Sequence, residues 1–560
     1  MVHDEDAEDL PGDVDSAAKL QGIPPEYLSG QVQKPLKLVV NDDDNNGEEE
    51  EEEEERLYVL KPMFYSVVFI LLVELLERFA YYGLNFTGVS FLSGVYDPDW
   101  NPGLSAVAAS SDVSISIFVA YTSTFLGALL ADSAIGDYWT IVGSLVLFYI
   151  PGLVLIALST VPGLLTTTTG GFNVPLLLFA FCILWPVGTG CIKSVVNVFG
   201  AKQFHPVLQR QFLQTYYINF YLVINIGALG GGFLIPILTQ HNLPLAYTIP
   251  VLVLVCGLFV FLAGTPRYIR TKPKGELCQP QQQSMLLKNE TSIVEMVGLT
   301  ALIIPFNIVY YQMTTTFIVQ GNVMKKAWGF LDAAGMNNID TLSVLWHGYF
   351  VGHWVFPYLS KKGIVLETTT KFAIGSFLAT VAVTWILGVE YAIHRAYHKH
   401  TELSVLWQTP AYVCIGAGEI FSIAAAYELA FRTASARRKA LASAVNLFLI
   451  GGVPSFLCAF LYQLCAPFFR TGGTGSSNIA TLPNYTQARV YDYFWVILLI
   501  SLSGVVVNLL PCVQKWVTWI EKRAQDNIAS SSSSSSSDAV DTEKTNLLAT
   551  TTGQKVEYST

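Results

Sequence analysis

The sequence predicts an all-α membrane protein in which twelve spanning helices form two sets of six. Composition is the first reason: the 560 residues are 52% hydrophobic and only 13% charged, unlike a soluble globular chain. The second is the recurrence of apolar windows of about 20 residues, the length that crosses a hydrocarbon core. The third is a polar stretch at 265–292, which follows the sixth window and divides the twelve evenly.

The windows lie near 64–94, 113–132, 138–160, 175–198, 212–238 and 245–264, then 293–320, 341–359, 369–393, 409–431, 439–463 and 490–512. Lipid offers no partner to a backbone amide, so each window is expected to be helical. The expected organisation is a tail at 1–60, a first bundle at 61–264, a central loop at 265–292, a second bundle at 293–515 and a tail at 516–560. Residues 1–55 hold 19 acids against 3 bases, which makes the overall net charge of −11 misleading about the rest of the chain. Glu48 to Glu55 is an unbroken acidic run and Ser530 to Ser537 a serine run; neither can bury apolar surface, so both tails are expected to be disordered.

Orientation follows from Lys and Arg in the loops. Arg267, Arg270, Lys272, Lys274 and Lys288 follow the sixth window. Lys361 and Lys362 follow the eighth, Arg437 to Lys439 the tenth, and Lys515, Lys522 and Arg523 the twelfth. Loops after the first, third and fifth windows have no Lys or Arg. Both termini and the central loop are therefore expected in the cytoplasm, with Lys325, Lys326, Arg395 and Lys399 as minor exceptions. Asn484-Tyr485-Thr486 is a glycosylation acceptor in a loop expected outside. No cleavable signal precedes the first window, which is expected to serve as the signal anchor. The eight cysteines are scattered, with neither a disulfide framework nor metal spacing.

The first window contains Glu74-Leu75-Leu76-Glu77-Arg78-Phe79-Ala80-Tyr81-Tyr82-Gly83. On a helix, Glu74, Glu77 and Arg78 share one face. A charge at the bilayer centre costs roughly 2.5–3.5 kcal/mol even on a lenient scale, so such a set is expected to face a polar path. Two acids beside one base pass from net −1 to neutral on taking up one proton, as proton-driven carriage requires. A second stretch, Phe220-Tyr221-Leu222-Val223-Ile224-Asn225-Ile226-Gly227-Ala228-Leu229, sets a polar amide in an apolar helix. Asn225 must find a partner, on a neighbouring helix or on a ligand, and Gly227 lets another backbone approach.

Together the two stretches resemble the signatures of the proton-coupled oligopeptide transporter (POT/PTR) family of the major facilitator superfamily, E-x-x-E-R-F-x-Y-Y-G and F-Y-x-x-I-N-x-G-[SA]-L. Further echoes follow in the family's order. They are Gly127 to Asp132 with Gly136, Gly188 to Lys193, Phe199 to Phe204, Gln312-Met313, and Glu419-Ile420-Phe421 with Glu428 and Lys439. The acidic first tail and Gln312-Met313 are reminiscent of fungal members. Departures are Asp137 where members carry Arg or Lys, Lys202 where they carry Asp, Thr314–Thr316 in place of an Asn run, and Ser114 where animal members carry His. Asp137 would alter a latch between the halves; the exchanged signs at Asp137 and Lys202 suggest a swapped ion pair.

The resemblance implies the major facilitator fold, two six-helix bundles rocking about a central cavity. It implies a proton symporter of di- and tripeptides, in a multi-pass protein of the plasma membrane, with no cofactor beyond the coupling protons. Glu74, Glu77 and Arg78 would couple protons; Glu77 would partner Lys193. Lys193 would take the peptide carboxylate and Glu419 the amine, while Tyr81, Tyr82, Asn225 and Gln312 would contact the peptide backbone. We expect a monomer whose partners are small peptides, protons and the lipid bilayer, not nucleic acid. Alternatives keep the fold but carry nitrate or another solute, or bind peptide with little transport. No nucleotide loop, nucleophile motif or metal spacing marks an enzyme.

Overall fold

The computed structural model describes residues 61–205, 209–270, 293–364, 366–433, 445–472 and 477–524. The acidic and serine runs, most of the central loop and Arg437 to Lys439 lie outside these residues. Helices dominate, and the β-pairs among the described residues are isolated bridges. The first half comprises α1 (63–92), α2 (Ala106–Ala134), α3 (Gly136–Ser159), α4 (Val174–Ala201), α5 (Arg210–Thr239) and α6 (Leu243–Ala263). The second comprises α7 (293–321), α8 (337–361), α9 (Thr368–His398), α10 (409–433), α11 (Val445–Leu464) and α12 (Val490–Leu509).

Nine helices among the described residues are long and apolar enough to cross a membrane. The other three expected spans are helical but atypical. Helix α1 carries Glu74, Glu77 and Arg78. Helix α7 is broken into Ile293–Ala301, Ile304–Tyr310 and Thr316–Gly321, and α8 carries Asp340, His347 and His353. Helical structure also continues through 511–524. Residues 516–524, expected to open the second tail, are instead helical, with Val517 and Ile520 buried against α7 and α10.

Proline shapes the spans. Wide π-type turns occupy Leu145–Tyr149, Ala180–Leu184, Val351–Val355 and Phe448–Gly452. Each ends two residues before a proline: Pro151, Pro186, Pro357 and Pro454. Proline has no N–H for the carbonyl one turn back, and a widened turn absorbs the mismatch.

The halves repeat one packing scheme: α1 lies on α5, α2 on α4 and α3 on α6, while α7 lies on α11, α8 on α10 and α9 on α12. Small residues let α1 and α5 approach closely. A side chain at Gly227 would strike the Leu75 carbonyl and the Arg78 Cβ, and one at Gly231 the Phe79 carbonyl. The halves meet through α2 on α11 and α5 on α8, with Phe118 and Phe125 against Phe448. At the end where α1 finishes and α8 begins they are also hydrogen-bonded. Ser90 meets Asn322 at 3.0 Å, Tyr96 meets Asp332 at 3.3 Å, and Asn338 donates to the Gly232 carbonyl at 2.7 Å. Gln240 accepts from Lys326 and donates to the Phe330 carbonyl, both at 2.9 Å. This is the end the Lys/Arg pattern expects outside.

Candidate functional site

Helical spacing brings Glu74, Glu77 and Arg78 to one face of α1, and all three are buried. Arg78 Nε lies 2.5 Å from Glu77 Oε2 and 3.1 Å from Glu74 Oε1. Glu77 Oε1 accepts from Thr189 Oγ1 of α4 at 2.7 Å and from the Tyr149 hydroxyl of α3 at 3.0 Å. Tyr149 closes the wide turn before Pro151, so that local distortion delivers its hydroxyl. Charge-assisted bonds of this kind make a buried carboxylate tolerable.

Lys193 lies one turn beyond Thr189, but it does not meet Glu77. Its ammonium sits 4.1 Å above the centre of the Tyr121 ring, and Tyr311 of the second half lies near that tyrosine. The expected Glu77–Lys193 pair is replaced: two hydroxyl donors and the Arg78 ion pair occupy the Glu77 carboxylate, and Lys193 finds a cation–π partner instead. Tyr81 is buried against Trp185 and Tyr82 and accepts from Asn85 at 3.3 Å. Half-buried Tyr82 packs on Phe86 and lies within electrostatic reach of Glu419 across the two halves.

In the second half, Glu419 of α10 and Asp340 of α8 lie within electrostatic reach of each other. Asp340 Oδ1 and Glu419 Oε1 are buried without a hydrogen-bond partner. Asp340 escaped the sequence reading because the eighth window was drawn from 341, whereas α8 begins at Asn337. The signal was an acid one residue outside an apolar window. Tyr149, Tyr121 and Tyr311 carried no signal beyond their type, and Thr189 lay unremarked inside the Gly188–Lys193 stretch.

Two expected peptide contacts are turned elsewhere. Gln312 is fully buried, and its oxygen accepts from Thr316 at 2.7 Å, Tyr493 at 2.9 Å and Tyr462 at 3.1 Å. Its nitrogen donates to the Ile308 carbonyl at 2.9 Å. It thus repairs the break in α7, with Thr315 bonded to Tyr462 at 2.6 Å beside it. Asn225, 7% exposed, donates to the Tyr221 carbonyl of its own helix at 2.8 Å. The swapped pair is present: Lys202 Nζ lies 2.7 Å from Asp137 Oδ2. Both belong to the first half, so this pair braces α3 on α4 and does not join the halves. Glu428 pairs with Lys371 at 2.9 Å, and buried Ser114 shows no hydrogen-bond partner for its hydroxyl.

A family model described as the POT family matches residues 138–292 and 281–476. The chain belongs to the POT family. It is therefore a multi-pass membrane transporter and not an enzyme. Among relatives of this POT protein, Arabidopsis thaliana Protein NRT1/PTR family 8.2 is 25% identical, over 80% of this chain and 93% of its own length. The Probable peptide transporter ptr2 of Schizosaccharomyces pombe is 26% identical, over 68% and 70%. The solved POT family transporter PepTSo superposes with a TM-score of 0.64 at 18% identity, over 82% of this chain and 98% of its own. Another, solved with a thioalcohol-conjugated peptide, gives 0.61 at 18%, over 79% and 95%. These likenesses carry the major facilitator fold.

Proposed function

We propose that this POT protein is a proton-coupled symporter of di- and tripeptides that works by alternating access in the plasma membrane, as a monomer with both termini cytoplasmic. The observation that carries the reading is the placement of opposite charges on opposite halves. Lys193 stands in the first half and the Asp340–Glu419 pair in the second. A peptide zwitterion matches this arrangement, with its carboxylate towards Lys193 and its amine towards the acids, and bound there it draws the halves together. Nitrate gains nothing from two carboxyls. The name of the fission-yeast relative and the peptide held by one solved neighbour support the same substrate class.

Coupling resides in Glu74, Glu77 and Arg78. Protonation from outside breaks the pairing with Arg78 and frees the guanidinium for the loaded state; proton loss to the cytoplasm restores the pair and resets the carrier. The test is uptake of a labelled dipeptide into proteoliposomes with and without an inward proton gradient. Accumulation is expected only with the gradient, with competition by dipeptides and none by nitrate or an N-acetylated dipeptide. Glu77→Gln is expected to lose accumulation while keeping peptide exchange. Gradient-driven accumulation in E77Q sinks the coupling scheme, and competition by nitrate sinks the substrate class.

A further inference from the structure

The two halves are bonded to each other at the end expected outside, and one of the groups joining them is a carboxylate. Asp332 lies in the loop between α7 and α8 and is 7% exposed. Its Oδ1 accepts the Gly335 amide at 2.9 Å, and Oδ2 faces the Tyr96 hydroxyl of the first half at 3.3 Å. Lys326 is near enough to attract it, and Tyr412 of α10 feels its charge from below. Lys326, however, is exposed and its ammonium bonds Gln240 of the other half at 2.9 Å. Asp332 is thus a carboxyl covered by the closed seam with no ion pair among the described residues.

We infer that Asp332 is a second proton-binding group, outside the Glu74–Glu77–Arg78 set, and that its proton favours closure of the external end. The sign follows from linkage. Burial pushes the Asp332 carboxyl up to about 6 from its ordinary 3.8 when the seam is closed. When the halves part, Tyr96 withdraws and water reaches the carboxyl, which returns towards its ordinary value. The closed state therefore binds the proton more tightly, and a proton bound at Asp332 stabilises closure in return. Closure is favoured below the closed-state value and loses that support as pH rises through it. The closed-to-open ratio falls on the order of tenfold between pH 5 and pH 7. An acidic exterior therefore favours the closed external end.

The test needs no substrate, so its failure leaves the peptide reading untouched. Spin labels are placed on Asp99→Cys and Trp328→Cys, two exposed positions on opposite halves, in a background whose native cysteines are replaced by Ser. Distances between them are measured in detergent from pH 5 to pH 7.5. The parent is expected to lose short distances as pH rises. Asp332→Asn, which mimics the protonated carboxyl, is expected to keep them across the range. Should D332N not fold, Asp332→Ser carries the same test. Tyr96→Phe keeps the carboxyl but removes a donor that favours its ionised form, and is expected to keep a pH-dependent loss of short distances that extends to higher pH. A D332N response equal to the parent's overturns the inference. So does a parent whose distances ignore pH, or whose closed population grows as pH rises.

Discussion

Gln312 carries the plainest lesson at the scale of single residues. The family resemblance placed it against the peptide, yet its amide is spent on Thr316, Tyr462, Tyr493 and the Ile308 carbonyl. Three hydroxyls converging on one oxygen form a satisfied network, and removing its centre takes that acceptor from Thr316 and Tyr493 and leaves Tyr462 with Thr315 alone. Gln312→Leu is therefore expected to cost about 2–4 kcal/mol of stability, read as a lower melting temperature. The KM for dipeptide in the surviving protein should stay within about twofold of the parent, since a twofold change is only about 0.4 kcal/mol. A large rise in KM without loss of stability would return Gln312 to the binding site. Asp340 shows the opposite case, since a window boundary drawn four residues late hid an acid that the fold sets beside Glu419.

Among the elements, α3 and α4 are joined near one end by a pair whose signs are exchanged relative to the family pattern. Asp137 is buried and Lys202 about one-third exposed, so the pair lies between the weak surface case and the costly buried one. Asp137→Lys alone should destabilise by about 1–3 kcal/mol, as should Lys202→Asp alone. Combining them restores the attraction with the family's polarity, and the double variant should melt within about 1 kcal/mol of the parent. Thermal unfolding of the four proteins in detergent tests this; two additive losses would mean that the residues do not act on each other. The exchange was legible in the sequence because both positions sit in quotable motifs. That it braces two helices of one half was not legible, because sequence order does not reveal which helix ends meet.

For the whole molecule, the hydrogen bonds between halves at the end that the Lys/Arg pattern expects outside describe a closed seam. Ser90 and Asn322 meet there at 3.0 Å, close enough for a cross-link to hold the halves together. Oxidation of the Ser90→Cys, Asn322→Cys double variant is expected to abolish dipeptide uptake, and reduction to restore it. Uptake that continues through a fully formed cross-link would mean that this end does not open during transport. The broken helix α7 belongs to the same scale. Its pieces are held by Gln312, Thr315 and Tyr462, and non-helical backbone at membrane depth persists only where protein satisfies it.

The sequence by itself determined the membrane class, the two sets of six helices, the shared face of Glu74, Glu77 and Arg78, and the family. Each of these is local: composition sets the solvent a segment prefers, and helical periodicity sets which residues of one segment point together. Only the tertiary structure decided that Thr189 and Tyr149 hold Glu77 while Lys193 turns to Tyr121, that Asp340 joins Glu419, and that Gln312 is enclosed. Those choices depend on how helices distant in sequence rotate and approach. Wide turns before prolines and glycines facing a neighbouring backbone set that approach, and it decides which of several chemically suitable donors reaches a carboxylate first.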